Sequence, residues 1–322
     1  MKKRLAFILI LLIVPFFIIG CSDKNVAPEV PQRQAIEGPA IMWEVTSNDS
    51  GAKLYLLGSI HIAKKDMYPL NKTITDAFNE SKSLAVEIDI VAFEKDTAAV
   101  RKMANAMIYR DGTTIEDHIS QNAFALLKNK VENGGIKGIP KGYEYYYKPM
   151  MIYSVLSDER YESYGYKSKY GIDNYFLKEA KKKNMEIIEL ESSEFQYNLL
   201  LNFSEQIQSA MLTSVLLPSF SESETLSQLF ESWEKGDEGA FEELLMKADE
   251  QDKNSLGPDG EKYYLEYKKQ MIDDRNVAMT EKAVELLEGN QTYFYVVGAA
   301  HMVGENGIVK ALIDRGYKVE KK

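Results

Sequence analysis

Tyr55-Leu56-Leu57-Gly58-Ser59-Ile60-His61-Ile62 and Tyr295-Val296-Val297-Gly298-Ala299-Ala300-His301-Met302 carry one pattern twice: an apolar run ending in Gly-x-x-His. Each run reads as a buried strand, and each histidine falls just beyond its C-terminal end, the edge at which open α/β sheets bind ligands. Glycine at 58 and 298 suits a tight turn with φ > 0 and close backbone approach. If the two strands are parallel neighbours, His61 and His301 converge although 240 residues separate them.

The neighbouring sequence extends the sheet. Ile41 to Val45 and Lys53 to Leu57, split by Ser47-Asn48-Asp49-Ser50-Gly51, read as a hairpin. After Pro69, Asn71 caps a helix that buries Ile74, Ala77 and Phe78. Ser83 to Ile90 then reads as a strand, which completes a βαβ unit. Phe93 to about Asn133 reads as mostly helical up to Gly134-Gly135, and Gly142 to Tyr170 is dense in tyrosine. Gly171-Ile172-Asp173 starts a helix through Lys183, followed by a strand from Met185 to Leu190. Residues 194 to 289 read as helical, Tyr293 to Val297 as a strand, Gly298 to Gly304 as a loop, Ile308 to Arg315 as a helix and Tyr317 to Glu320 as a last strand. The expected fold is α/β: a mixed, largely parallel central sheet with flanking helices, a helical insert at about 93–170 and a helical region at about 194–289. Helix packing is the simplest role for the tyrosines of 143–170, and a lid over the sheet edge is the alternative.

Only three histidines exist, and two share the repeated motif. The third, His118, sits at a helix start with no such turn. Glu87 lies in the run Leu84-Ala85-Val86-Glu87-Ile88-Asp89-Ile90, where strand alternation sends Glu87 and Asp89 to one face. A carboxylate buried there needs a partner or a cation. Glu191, at the end of the third parallel strand, is a secondary candidate of the same kind. Asp173 and Arg275 fall on predicted helices and are ordinary by themselves.

Two imidazoles and a carboxylate suit a divalent transition metal such as Zn, Mn or Co, which acidifies water and polarises a scissile carbonyl. Glu87 as third ligand and Glu87 as general base are both open readings. There is no His-Glu-x-x-His, Gly-x-Ser-x-Gly, Gly-x-Gly-x-x-Gly or P-loop, so zincin, α/β-hydrolase, dinucleotide and NTP chemistries lack support.

The N-terminus reads as an address. Lys2-Lys3-Arg4 precedes Leu5 to Ile19, an uncharged apolar run of fifteen residues, too short for a comfortable bilayer span. It ends in Ile18-Ile19-Gly20-Cys21, which resembles the bacterial lipobox, where the chain is cut before a cysteine that then receives lipid. Cys21 is the sole cysteine, so disulfides and sulfur-rich zinc sites are excluded for the single chain. Residues 1–20 are the expected signal peptide, 21–39 a flexible tether and 40–322 the α/β domain. Two or three acyl chains, palmitate among them, hold a protein firmly at about 0.8 kcal/mol per buried CH₂. The expected location is a cell membrane, lipid-anchored, outside the cytoplasm.

The chain has 322 residues with 39 basic and 49 acidic, a net charge of −10. Loss of Lys2, Lys3 and Arg4 leaves 36 basic residues and a charge of −13. Neither value fits a general nucleic-acid binder, which presents a basic face.

Taken together, Met42-Trp43-Glu44-Val45, the run Leu56 to Ile62, the strand with Glu87, Tyr170-Gly171-Ile172-Asp173, Leu190-Glu191, Arg275-Asn276 and Val297 to Gly304 resemble the TraB/PrgY/GumN family, which includes the Tiki proteases. The resemblance spans about residues 41 to 320. It implies a fold similar to erythromycin esterase and ChaN and a metal-dependent site of His61, Glu87 and His301 with Arg275 near it. Such a guanidinium suits a developing oxyanion. Asp173 and Glu191 fit the family pattern, and Ser59 stands where many members have threonine. The leading expectation is a metal-dependent hydrolase acting on a peptide or protein substrate. The alternatives are peptide sequestration, as the family's pheromone-shutdown members suggest, and haem or metal capture by analogy of fold.

Overall fold

The structure is a computed structural model; it describes residues 38–47, 49–218, 222–255 and 259–322. The expected signal peptide, Cys21 and nearly all of the tether lie outside these residues. No helix among the described residues is long and apolar enough to cross a membrane.

Six strands form one sheet: β1 (Met42–Thr46), β2 (Lys53–Ser59), β3 (Ser83–Val86), β4 (Glu186–Glu189), β5 (Thr292–Gly298) and β6 (Lys318–Lys321), in the order β4-β3-β5-β2-β1-β6. β1 pairs antiparallel with both β2 and β6. β2, β5, β3 and β4 are mutually parallel, so their C-terminal ends share one edge. The fold is therefore α/β with a mixed, mostly parallel sheet and flanking helices, as the sequence predicts.

β5 lies between β2 and β3 and is covered on both faces, which its unbroken Phe294-Tyr295-Val296-Val297 run reflects; all four are fully buried. Each such side chain contributes about 1.5–3 kcal/mol of burial. The Tyr295 hydroxyl is satisfied inside the core by donating to the Met279 carbonyl at 2.8 Å. Asn71 caps the helix Lys72–Glu80 by accepting from the Thr73 N–H, and Ile74, Ala77 and Phe78 are its buried face, again as read from the sequence. A second hydrophobic cluster, including Met103, Met107, Leu127, Met150, Tyr153, Tyr197, Met211 and Met271, is built by the helices of the insert and the later helical region. Helix packing thus accounts for much of the tyrosine- and methionine-rich middle, although Tyr143 and Tyr146 are exposed.

Three local expectations are corrected. β3 stops at Val86 rather than Ile90, because the Asp89 side chain accepts the Ala92 N–H and caps the short helix Ile90–Phe93. Residues after Gly298 are not a loop: Ala299–Met302 is a helical turn carrying His301. Neither motif glycine has positive φ. Gly58 is required by contact, since a Cβ there would lie 2.9 Å from the Ala299 Cα, where that helical turn crosses β2.

Candidate functional site

Each of the four parallel strands delivers one of the expected side chains to the shared edge. His61 follows β2 by two residues, Glu87 follows β3 directly, Glu191 follows β4 by two, and His301 follows β5 by three. The β2–β5 register pairs Ser59, not Gly58, with Gly298. The two motifs are therefore offset by one residue. The extra residue on the β5 side is taken up by the helical turn that carries His301.

Gly298 is the floor of the site. A Cβ built on it would meet Glu87 Oε1 at 3.4 Å, His301 Cδ2 at 3.5 Å and His61 Nε2 at 3.5 Å, so these three side chains surround a space one methyl wide. Beside it, His61, Glu87, Ile88, Ile90, Asp173 and Gln196 line a cavity of about 30 Å³. That is room for a single water.

Asp173 orients His61. Its Oδ2 lies 2.8 Å from His61 Nδ1, and its Oδ1 accepts the Ser59 hydroxyl at 2.8 Å. A carboxylate only accepts, so His61 donates from Nδ1 and directs Nε2 into the site. Gly171 allows the approach, because a Cβ there would overlap the His61 carbonyl oxygen at 2.1 Å. Burial pushes the His61 imidazole toward neutrality, but the charge and hydrogen bond of Asp173, with Glu87 behind them, raise it to about 9.

His301 is fully buried. Asn276 donates from Nδ2 to the Asn306 carbonyl at 2.7 Å, which turns its Oδ1 to accept from His301 Nδ1 at 2.6 Å. His301 Nε2 is then an unprotonated acceptor, and no described residue donates to it. Burial, then the Arg275 charge and His61, lower this imidazole to about 3, so it stays neutral.

Glu87 is held from both oxygens. Oε1 accepts the Gly298 N–H at 2.8 Å, while Oε2 accepts from Arg275 Nη2 at 2.7 Å and Gln196 Nε2 at 3.1 Å. Burial favours its protonation, but the charges of Arg275 and His61 with the Gly298 N–H hold the carboxyl well below the usual range. Arg275 also grips Glu191, Nε to Oε1 at 2.8 Å and Nη2 to Oε2 at 2.9 Å, and donates from Nη1 to the Met271 carbonyl. The guanidinium is thus spent on two carboxylates and a carbonyl, and its first effect is to fix Glu87. Asp89, expected on the same face as Glu87, instead pairs with Lys181 at 2.6 Å. His118 lies on the insert, stacked on Tyr109 and 2.8 Å from Glu205.

Residues 41–321 match the TraB/PrgY/gumN family. The chain belongs to this family. Among characterised and uncharacterised relatives, it is 24% identical over 259 residues to Uncharacterized protein YbaP of Escherichia coli (strain K12), covering 80% of this chain and 87% of YbaP. It is 23% identical to Metalloprotease TIKI2 of Xenopus tropicalis, covering 87% of this chain and 59% of that protein. No solved structure matches.

TIKI2 is named a metalloprotease, which raises a metal for this site too. No group of three or more His, Cys, Asp or Glu side chains among the described residues stands in a metal-holding arrangement. In donor type the residues fit: His61 Nε2, aimed by a carboxylate, and an ionised Glu87 border the space over Gly298, and so does Cδ2 of His301, next to its orphaned Nε2. Imidazoles that ligate metals almost always donate their other N–H to a carboxylate, carbonyl or water, as both do here. The fit is in chemistry rather than in mutual distance.

Two members of the site escape sequence reading. Gln196 bridges Glu87 and Glu191, the latter at 2.8 Å, and its buried Oε1 accepts from no described residue. Its only signal was a place five residues after Glu191. Asn276 was visible as the neighbour of Arg275, without a role.

Proposed function

We propose that this protein is a metal-dependent hydrolase of peptide bonds, acting on small peptides or flexible protein termini. A divalent transition metal, Zn, Mn or Co, would be held by His61 and His301 with Glu87 as the third donor, and when bound it would acidify water and polarise a carbonyl. The observation that carries this reading is the buried, unprotonated His301 Nε2 with no donor among the described residues, on a ring whose adjacent Cδ2 borders the same Gly298 space as His61 Nε2. A bare acceptor in a core costs about 1–3 kcal/mol unless something uses it.

The chain's own residues prepare that space. Asp173 and Asn276 fix the two imidazole tautomers. Arg275 and Gln196 lock Glu87, which stays ionised across neutral pH. A carboxyl held that low takes up protons poorly, which favours a ligand over a general base. Ile88 and Ile90 line the small cavity and limit water. Carried on a lipidated Cys21, the enzyme would act outside the cytoplasm at a membrane.

The test is incubation of the Zn-, Mn- or Co-loaded full chain with a peptide library, with products read by mass spectrometry. Cleavage lost on chelation and in His61→Ala and His301→Ala supports hydrolysis. Retained peptides without products would replace it with sequestration.

A further inference from the structure

A larger cavity of about 310 Å³ shares no lining residue with the small one, yet reaches the same site from behind its hydrogen bonds. Asn276, the acceptor for His301, and Ala300, next to His301, are both in its wall. Its outer walls are apolar, with Leu245, Met246, Tyr264 and Ile272 contributed by three successive helical segments, Glu238–Ser255, Gly260–Lys268 and Lys269–Asp273. Met246 stands at its rim, 61% exposed.

The charge around this cavity is one-sided. Glu242, Asp249, Asp273 and Glu305 line it against a single cation, Lys268. Lys268 Nζ lies 3.5 Å from Asp249 and offsets that carboxylate. Asp273 accepts the neutral Asn306 amide at 3.0 Å, Glu242 forms no ion pair among the described residues, and Glu305 interacts with the charge of Lys310, which itself pairs with Asp314. An apolar cleft near the lower size limit of ligand pockets, lined by four carboxylates and one lysine, complements a cation carried on an apolar body.

We infer that this cavity binds a cationic peptide segment, one in which lysine or arginine adjoins a leucine- or phenylalanine-sized side chain. The apolar side chain fills the cleft between Met246 and Tyr264, the cation meets Glu242 and Glu305, and the segment lies against Asn276. Taking that segment as the substrate rests on the hydrolase reading; its binding does not.

The experiment is fluorescence anisotropy with the full chain and dye-labelled, end-blocked hexapeptides that differ only in a central Leu-Arg, Leu-Gln or Leu-Glu pair. The arginine peptide is expected to bind about tenfold more tightly than the glutamine peptide, with the glutamate peptide weakest. In the double variant Glu242→Gln/Glu305→Gln that preference falls to about twofold, while Glu116→Gln/Glu132→Gln, two exposed carboxylates on the insert, leaves it intact. Equal loss in both pairs would mean that the chain's overall negative charge does the work and would overturn the inference, as would the absence of any charge preference. The same mixtures are then analysed for cleavage. Charge-selective binding without products would sink the hydrolase reading alone; products from all three peptides at equal rates would sink this inference alone.

Discussion

Arg275 Nη2 donates to Glu87 Oε2 at 2.7 Å, with both side chains almost wholly excluded from solvent. This contact ties the helix Asp274–Leu287 to the end of β3, and the same guanidinium clasps Glu191 at the end of β4. One buried cation therefore balances two buried carboxylates that belong to different strands.

Removing that cation leaves both carboxylates stranded. Arg275→Met is expected to lose about 3–5 kcal/mol of stability, the usual result of breaking a buried pair from one side. Arg275→Lys recovers only part, because an ammonium cannot form the paired contact with Glu191. Urea unfolding of the metal-free chain measures both, and a loss below about 1 kcal/mol for Arg275→Met would contradict the clamp.

The proton on His61 competes with a metal. Without metal, His61 titrates at about 9 in the fold against 6.5 for a free imidazole. Its ion pair therefore adds stability in full below pH 6.5, and that contribution is lost as pH rises through about 9. A divalent ion has to displace this proton, so apparent affinity should climb by up to about tenfold per pH unit between pH 6.5 and 9. Asp173→Asn removes the charge that holds the proton, flattens the climb and weakens binding by about 10–100-fold, since the ring loses its orienting partner. Zinc competition titrations at several pH values read both effects, and an affinity independent of pH in the unaltered chain would count against His61 as a ligand.

Asp158 gives a pH signature away from the site. On the helix Pro149–Ser163, burial, reinforced by Glu162 and only partly offset by Lys137, raises its carboxyl to about 7. Between pH 3.8 and 7 the unfolded chain ionises while the folded chain keeps the proton, so folding becomes less favourable as pH rises through that window. Asp158→Asn should raise Tm by about 2–4 °C at pH 8 and leave it unchanged at pH 4. A gain of equal size at both pH values would refute this.

Much of the fold was legible because its signals are local and repeated. The Gly-x-x-His pattern with its apolar run located β2 and β5, the Asn71 cap marked a helix start, and the Ser47–Gly51 break set the hairpin. What failed depended on competition or on distance. Asp89 looked like a strand residue until its side chain found the Ala92 N–H, which ends β3 early. The one-residue offset between the motifs was hidden because matching Gly-x-x-His patterns suggest matching registers, whereas one histidine sits on a helical turn and the other does not. Gln196 and Asn276 could be given no role because an amide on a helix is common, and only the tertiary fold brings them to Glu87 and His301. Of the two reasons read for the glycines, positive φ fails at both, close backbone approach holds at Gly58, and an open space marks Gly298.

That open space is the centre of the account, and one methyl group tests it. A Cβ on Gly298 would make ordinary contacts of 3.4–3.5 Å with Glu87, His301 and His61, on a backbone whose φ of −48° any residue adopts. Gly298→Ala should therefore fold with Tm within about 2 °C of the unaltered protein while occupying the place where metal and substrate meet. The decisive measurement is peptide cleavage by metal-loaded Gly298→Ala beside the unaltered chain: loss of cleavage in a protein of unchanged stability is the predicted result, and full cleavage would contradict a reaction site over Gly298.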